Sequence, residues 1–310
     1  MAGTSQVVAG TSQAMTEWAN RNLGWWHRQQ GRPVTLGADE GEGDIQGDAP
    51  LREPVYLSVQ GMVATVTLNR PQRRNAINLA AWRALAEIAG TLAADSAVRV
   101  VVLTGEGKAA FSAGSDVREF PQQRLGLTAA RRYNECYEAA LEAWAALPQP
   151  VVTSISGYCL GAALELALTA DFRIASQDAV FGIPAVKLGI GISVADARRL
   201  IDVVGAARAR ALLLSGEQLT AAQAVAIGLV DAAVPAPELE EHVQARVTSL
   251  LANAPQTMAW VKRAVDFAGR HPDPAPFGFD VLGTQVFETE DCAEGVAAFL
   301  GRRQPSFRGT

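Results

Sequence analysis

The sequence predicts an α/β fold with a layered parallel sheet. Between residues 54 and 205, segments of strand composition alternate with segments of helical periodicity, as is typical of that fold class. Two segments, VRVVVLTG at 98–105 and PVVTSISG at 150–157, are runs rich in β-branched residues, which indicates strands buried on both faces. Beyond residue 205 the periodicity is mainly helical.

The individual elements follow from composition and spacing. The predicted strands are rich in apolar and β-branched residues and lie at 55–61, 62–69, 98–105, 150–157 and 172–182. Gly61 separates the first pair and predicts a turn there. The predicted helices repeat apolar residues at helical spacing and lie at 77–95, 127–147, 160–171, 207–216, 220–228, 237–268 and 291–301.

Three regions are expected along the chain. They are an N-terminal extension at 1–52, an α/β core at 53–205 and a C-terminal helical region at 206–310. The extension differs from the rest, because AGTSQ occurs twice within its first thirteen residues and GADEGEGDIQGDAP at 37–50 combines glycines with five acidic residues. Such a segment buries little apolar surface, so a flexible linker is predicted.

The extension also contains a candidate helix with an apolar face. Its large side chains recur at roughly helical spacing and are Met15, Trp18, Trp25 and Trp26. Such a helix packs against its own domain or a neighbouring subunit, or it docks a partner protein. We favour packing against its own domain or a neighbouring subunit.

Composition excludes several classes of function. The 310 residues are 49% hydrophobic and 19% charged, with 27 basic and 32 acidic residues and a net charge of -5, which is a poor match for nucleic acid. Cys136, Cys159 and Cys292 form neither a disulfide framework nor a C-x-x-C metal motif, so we expect a reducing cytoplasm. No signal peptide or membrane span is expected. The three histidines lie outside the suggestive motifs, which argues against a histidine triad or a histidine-ligated metal.

Two segments share a design that suits anion binding. In VVVLTGEGKAAFSAGSDVREF at 100–120 and VVTSISGYCLGAALELAL at 151–168, a buried strand leads through a turn of small residues to a helix. A helix start leaves backbone N–H groups unpaired, and small residues let a ligand approach them. Two such turns side by side predict an oxyanion hole, and the plainer interpretation is tight packing of helix on sheet.

Glu165 is the lone carboxylate in the apolar run GYCLGAALELAL at 157–168. An unpaired buried carboxylate costs several kcal/mol. In an apolar pocket its pKa rises, which suits a general acid or base near neutral pH. Alternatively, it is a helix-start carboxylate that the helix dipole favours or that an arginine pairs. The residues alone leave both interpretations open.

A family resemblance decides between them. Six motifs follow one another along the chain: VTLNRPQRRNAIN at 66–78, VVLTGEGKAAFSAGSDVREF at 101–120, SGYCLGAALELALTADFRIAS at 156–176, FGIPAVKLGI at 181–190, LLLSGEQLTAAQAVAIGLVDAAVP at 212–235 and FETEDCAEGVAAFLGRRQPSF at 287–307. In this order they resemble the crotonase (enoyl-CoA hydratase/isomerase) superfamily. The resemblance implies a ClpP/crotonase-like spiral of ββα units, a C-terminal helical trimerisation region, and a homotrimer or dimer of trimers.

The resemblance also implies a chemistry and its residues. Family members bind acyl-CoA thioesters and stabilise an enolate, with two backbone N–H groups that fall here on Ser115 and Ala162 and an acid/base carboxylate that falls on Glu165. Coenzyme A enters as part of the substrate, and no metal, further cofactor, nucleic acid or membrane is expected. The residues expected at the substrate or its coenzyme A are Arg73, Arg74, Ala76, Lys108, Ala113, Gly114, Asp116, Val117, Arg118, Gly161 and Lys262.

The sequence departs from the family pattern at one informative place. The second glutamate of family hydratases is replaced by Ala185, and the glycine-rich turn that follows reads ISVAD at 192–196. We expect an enoyl-CoA hydratase or 3-hydroxyacyl-CoA dehydratase in which another group transfers the second proton. The alternatives are decarboxylation of a malonyl-type acyl-CoA, double-bond isomerisation and a non-catalytic acyl-CoA-binding scaffold. The candidates for the second group are Asp196, Tyr133, Glu135 and Glu138.

Overall fold

A large, mainly parallel sheet organises the chain in the computed structural model, which describes residues 53–270 and 283–310. Ten strands are found in these residues: β1 Val55–Gln60, β2 Val63–Leu68, β3 Val100–Gly105, β4 Ala110–Ser112, β5 Val151–Ile155, β6 Tyr158–Leu160, β7 Phe172–Ser176, β8 Val180–Gly182, β9 Leu219–Thr220 and β10 Ala232–Val234. The large sheet has the order β1-β2-β3-β5-β7-β10. Strand β1 is antiparallel to β2, and the other pairs are parallel, which confirms the predicted fold class.

The helices cover the sheet and extend beyond it. Those described are α1 Leu79–Ala94, α2 Phe120–Gln123, α3 Leu127–Ala145, α4 Ala162–Ala167, α5 Val194–Val204, α6 Ala206–Ser215, α7 Ala221–Ala226, α8 Leu239–Leu251, α9 Pro255–Arg270 and α10 Glu290–Leu300. Asn78 caps α1 by accepting from Ala81 N–H, and Thr220 and Ser193 form capping boxes on α7 and α5.

The large sheet is buried on both faces, as the β-branched run of β3 predicts. Val101 and Leu103 face the main core, which includes α1 and α3, while Val100 and Val102 face a second apolar cluster. That second cluster contains side chains of α8, such as Val243. Since both faces of a parallel sheet are covered, its strands need apolar residues at every position rather than at alternate ones.

A second, small sheet was not predicted. It has the order β4-β6-β8-β9, with β4, β6 and β8 parallel. The predicted strand at 172–182 is in fact β7 and β8, and the predicted helix at 160–171 begins after β6 and is reduced to α4. Strands of two or three residues are too short to display a period, which explains the error.

The predicted set of helices needs correction in two places. The predicted helix at 237–268 is divided into α8 and α9, because Pro255 lacks the N–H that a continuous helix needs and instead starts α9. Helix α5 was not predicted. The structure does not describe residues 1–52, so the tryptophan helix and the linker lie outside it. The boundary at 205 coincides with Gly205 between α5 and α6, and the division into regions stays a prediction.

Candidate active site

A cavity of about 120 Å³ lies where the small sheet meets α3, α4 and α5. Most of its wall is apolar or small. Ala185, at the place of the missing family glutamate, belongs to this wall. The polar side chains among its lining residues are Ser115, Arg124, Tyr137, Glu165 and Asp196. The cavity therefore combines a predicted acid/base carboxylate with both predicted turns.

The two turns lie side by side because β4 and β6 pair in parallel. Parallel strands end at the same sheet edge, so the turn at 113–115 is brought next to the turn at 160–162. Gly114 has φ +95°, and a Cβ there would lie 2.6 Å from Leu160 O and 3.4 Å from Ala162 N. The close approach therefore requires glycine.

Both predicted oxyanion donors are available. The N–H groups of Ser115 and Ala162 donate to no acceptor among the described residues, and both residues line the cavity. A bridge between Ile77 and Ser115 fixes the first turn, because Ile77 N–H donates to Gly114 O at 2.8 Å and Asp116 N–H donates to Ile77 O at 2.9 Å. Two free amides from adjacent turns can hold one oxyanion.

Asn75, in the NAIN turn at 75–78, stabilises the segment that leads to the first oxyanion donor. Its backbone has φ +55°, and its buried side-chain amide donates to Glu106 O at 3.0 Å and to Ala110 O at 2.8 Å. Ala113 N–H in turn donates to Arg74 O at 2.9 Å. The turn is expected to contact coenzyme A. Asn75 itself stabilises the start of β4, the strand that precedes the first donor.

Glu165 is 2% exposed and lies on the short helix α4. Burial raises the pKa of its carboxyl well above the ordinary value, the charge of Asp196 raises it further, and the Arg199 guanidinium opposes both effects. Neither carboxyl oxygen has a hydrogen-bond partner among the described residues, although Arg199 Nε lies 3.5 Å from Oε2. Both interpretations of Glu165 are thus partly right: it has a raised pKa and it faces an arginine.

Arg199 and two further carboxyl groups form a charged network next to Glu165. Arg199 Nη2 lies 2.7 Å from Asp196 Oδ1 and 3.0 Å from Glu138 Oε2. Ser193 Oγ donates to Glu138 at 2.7 Å and also accepts from Asp196 N–H at 3.0 Å. One guanidinium thus faces three carboxyl groups, those of Glu138, Asp196 and Glu165. This imbalance contributes to the raised pKa of the most buried of them, Glu165.

Sequence reasoning missed Tyr137, which connects this network to the cavity. Its hydroxyl donates to Asp196 Oδ1 at 2.7 Å, and its side chain lines the cavity. Burial, followed by the charges of Glu165 and Asp196, holds the pKa of Tyr137 well above its usual range. Arg199 was missed as well. The available signals were helical: Tyr137 lies one turn after Tyr133, and Arg199 lies one turn after Asp196.

The chain resembles known proteins over most of its length. A sequence model described as enoyl-CoA hydratase/isomerase matches residues 58–310. The chain belongs to the enoyl-CoA hydratase/isomerase family. It is 33% identical over 256 residues to a probable enoyl-CoA hydratase of Mycobacterium bovis, covering 82% of this chain and 98% of that relative. The resemblance to the crotonase superfamily is thereby confirmed.

A second relative and a solved structure extend the likeness. The short-chain-enoyl-CoA hydratase of Clostridium acetobutylicum is 32% identical over 253 residues, which cover 81% of this chain and 95% of that relative. A crystal structure of an enoyl-CoA hydratase/carnitine racemase from Magnetospirillum magneticum has a TM-score of 0.81 at 35% identity, covering 83% of this chain and 96% of that one. These likenesses confirm the crotonase-like fold.

The candidates for a second proton-transfer group occupy different places in this enoyl-CoA hydratase/isomerase family member. Asp196 lines the cavity, and Glu138 reaches it only through Arg199. Tyr133 is buried and does not itself line the cavity; its hydroxyl accepts from Trp82 Nε1 at 3.2 Å and lies close to the side chain of Ser115, which does line it. Glu135 is exposed on the solvent side of α3. Of the four, Asp196 is the one that lines the cavity.

The predicted substrate-binding residues that are not basic divide into two groups. Those that line the cavity are Ala113, Gly114, Val117 and Gly161. Asp116 is buried and pairs with Arg70 at 2.9 Å, and Arg70 Nη1 also donates to Ala76 O at 2.7 Å. These contacts give Asp116 and Ala76 a role in holding the first turn.

The predicted basic residues are more scattered. Arg73 and Arg118 are exposed, and the Arg74 guanidinium lies over the Tyr158 ring at 5.1 Å, all in segments next to the site. Lys108 lines a different cavity. Lys262 is not brought to the site within the chain, since its ammonium donates to Gln149 O at 2.8 Å and to Asp171 Oδ2 at 2.7 Å. Its expected contact with phosphate stays a prediction.

Two features are absent from residues 53–270 and 283–310. No cluster of three or more His, Cys, Asp or Glu side chains is arranged to hold a metal ion. No helix is long and apolar enough to cross a membrane.

Proposed function

We propose that this protein is a cytoplasmic enoyl-CoA hydratase that adds water to a short 2-enoyl-CoA or, in reverse, dehydrates a 3-hydroxyacyl-CoA. The amides of Ser115 and Ala162 hold the thioester oxygen, and Glu165 is the general acid/base. One observation supports the proposal most: Glu165 shares a cavity wall with two unpaired amides, and its own oxygens have no hydrogen-bond partner in the described part of the chain.

The two amides and the carboxylate supply complementary parts of the reaction. When a water oxygen bonds to the β-carbon, the electron pair of the double bond moves through the carbonyl and charges the thioester oxygen. Two N–H donors stabilise that charge, and losing one such donor typically costs about 2.7–4 kcal/mol. Glu165 takes a proton from the water and delivers it to the α-carbon, and such help typically contributes about 10²–10⁴-fold.

The size of the cavity supports a short acyl group. Its volume of about 120 Å³ is well below the roughly 300–1,000 Å³ of pockets that hold drug-sized ligands. A relative is named short-chain-enoyl-CoA hydratase, which agrees with this size. We therefore propose acyl groups near the length of crotonyl.

Charge makes decarboxylation the weaker alternative. A malonyl-type substrate brings a second carboxylate to the α-carbon, next to Glu165 and Asp196. The cation beside these two carboxyl groups, Arg199, already pairs with Asp196 and Glu138. The other cation of the cavity, Arg124, stacks on the Phe120 and Tyr133 rings. A further anion would be repelled. A non-catalytic scaffold is also disfavoured, because burying an unsatisfied carboxyl such as Glu165 is costly when no ligand uses it.

The decisive experiment compares two pools of thioesters by mass spectrometry. One contains 2-enoyl-CoAs of increasing length, and the other contains malonyl-, methylmalonyl- and ethylmalonyl-CoA. We expect crotonyl-CoA to gain the mass of one water, longer enoyl-CoAs to react more slowly, and the second pool to stay unchanged. In Glu165→Gln, hydration should fall by at least about 10²-fold while crotonyl-CoA still binds, because the amides remain.

A matched control is Glu135→Gln, since Glu135 is an exposed carboxylate on α3. It should hydrate crotonyl-CoA like the wild type. Release of carbon dioxide from the second pool, without hydration in the first, would replace the proposal with decarboxylation. Full hydration by Glu165→Gln would remove Glu165 from the mechanism.

A further inference from the structure

Glu165 alone leaves the attacking water poorly fixed. A water that reacts with the β-carbon must present a lone pair to that carbon while its hydrogens are held elsewhere. Glu165 can accept one hydrogen. The position of the usual second glutamate is Ala185, which offers no side-chain acceptor. Another oxygen on the wall must accept the second hydrogen if the water is to be oriented.

Tyr137 has an oxygen with the required property. A phenol has one proton to donate and lone pairs that accept. The proton of Tyr137 is committed to Asp196 Oδ1 at 2.7 Å, and the side chain lines the same cavity as Glu165. Its oxygen can therefore only accept from a molecule in the cavity.

The acceptor of that proton is itself held firmly. Asp196 Oδ1 also receives Arg199 Nη2 at 2.7 Å, and its other oxygen receives Ser193 N–H at 3.4 Å. Asp196 is 6% exposed, and its backbone N–H is tied to Ser193 Oγ at 3.0 Å in a capping box. The Tyr137 hydroxyl therefore has one strongly preferred direction for its hydrogen, toward Asp196 Oδ1.

We propose that Tyr137 holds the attacking water: its hydroxyl oxygen accepts one hydrogen of the water while Glu165 accepts the other. This inference rests on the proposed hydratase function. Asp196 and Arg199 are positioning residues that keep the Tyr137 proton on Asp196 and leave the lone pairs of the hydroxyl oxygen to the water. The arrangement replaces the missing second carboxylate with a neutral acceptor.

The reaction balances without a proton from Tyr137. One O–H bond of the water breaks and its proton moves to Glu165, while the oxygen bonds to the β-carbon. The electron pair of the carbon–carbon double bond moves to the thioester oxygen at the two amides. Glu165 then gives the proton to the α-carbon, and the thioester carbonyl reforms. Since the Tyr137 hydroxyl is neither consumed nor ionised, it acts by orientation.

The test compares a reaction that needs the water with one that does not. Tyr137→Phe removes the hydroxyl but keeps the ring, whose edge contact with Trp82 has a centroid distance of 5.0 Å. Hydration of crotonyl-CoA is measured beside deuterium exchange at the α-carbon of butyryl-CoA in D2O, which needs Glu165 and the amides alone. We expect kcat for hydration to fall about 10²-fold, as for a misplaced reactant. Exchange should continue and thereby show that the variant is folded.

Tyr56→Phe is the matched control, because it removes a hydroxyl that donates to Glu106 Oε2 at 3.1 Å, and neither of these residues lines the cavity. It should hydrate crotonyl-CoA at nearly the wild-type rate. Equal hydration by Tyr137→Phe and the wild type would overturn the role of Tyr137 and leave the hydratase proposal standing. If Tyr137→Phe lost hydration and exchange together, or if Tyr56→Phe lost hydration equally, the Tyr137 hydroxyl would be assigned to packing. A wild-type protein that exchanges but never hydrates would remove both proposals.

Discussion

At the scale of single residues, the buried carboxyl of Glu165 links reactivity to stability. Its raised pKa means that the folded chain binds this proton more tightly than the unfolded chain does. The free energy of unfolding therefore falls as pH rises from the pKa of an unfolded glutamate, about 4.3, toward the higher folded value. Below about pH 4.3, Glu165 is protonated in both the folded and the unfolded chain, so it no longer makes the free energy of unfolding depend on pH.

A substitution makes this linkage measurable. Glutamine keeps the shape of a protonated glutamate, so Glu165→Gln should gain stability over the wild type as pH rises above about 4.3, with a slope approaching about 1.4 kcal/mol per pH unit. Thermal or urea unfolding of both proteins between acidic and neutral pH gives the difference. Glu135→Gln, at an exposed position, should show no such slope. A constant difference between Glu165→Gln and the wild type would mean that Glu165 is ionised when folded.

The residues that sequence reasoning missed share a physical cause. Glu165 was identified because a carboxylate is conspicuous in an apolar run. Tyr137 was missed because an aromatic residue on an amphipathic helix is compatible with an ordinary core position, and its partner Asp196 is distant in sequence. Arg199 resembles an exposed helix arginine until three carboxyl groups surround it. Such pairings are set by tertiary contacts, which the sequence pattern does not encode locally.

At the scale of elements, two strands of three residues each determine the candidate oxyanion site. The parallel pairing of β4 with β6 brings the Gly114 turn against Leu160, and Gly114 has no room for a side chain. The strands β4 and β6 were not predicted, because three residues are too few to show a period. In contrast, β3 and β5 were predicted from their runs of β-branched residues. The sequence could still locate both turns, because small residues between a strand and a helix are a local signal.

Gly114→Ala tests this arrangement. The added Cβ would lie 2.6 Å from Leu160 O, which would separate the two turns and should reduce hydration about 10²–10³-fold, as does loss of one oxyanion donor. Gly107→Ala is the control, since Gly107 also has a positive φ, +78°, but has no atom within 4 Å of a new Cβ. Both variants should lose about 1–3 kcal/mol of stability from backbone strain. If Gly114→Ala retained full turnover, the turn would not hold a donor.

At the scale of the whole molecule, the described C-terminal helices and their neighbours expose large apolar side chains. Examples are Phe287, Phe299 and Leu300, of which Phe299 is 83% exposed. Exposed apolar groups of this size mark interaction surfaces when they lie together. The family resemblance implies a homotrimer or dimer of trimers, and these side chains are the candidates for its contacts.

We therefore expect a trimer or a multiple of it in solution, measured by light scattering coupled to gel filtration. Phe299→Asp should shift the mass toward smaller species, because burying one phenylalanine typically contributes about 1.5–3 kcal/mol and a buried carboxylate is unfavourable. Thr91→Asp, on the exposed side of α1, should leave the mass unchanged. A monomeric wild-type protein would contradict the expected assembly.

The position of β10 has a consequence for synthesis on the ribosome. Every residue that lines the candidate active site has been made by residue 196, yet the β7 partner strand follows only at Ala232–Val234. Until that segment emerges, β7 has an open edge that invites pairing with other chains. The buried guanidinium of Arg173 also lacks the Leu229 carbonyl that accepts from its Nε at 2.9 Å. A nascent chain that stalled after α5 would therefore hold all the chemistry and still depend on chaperones.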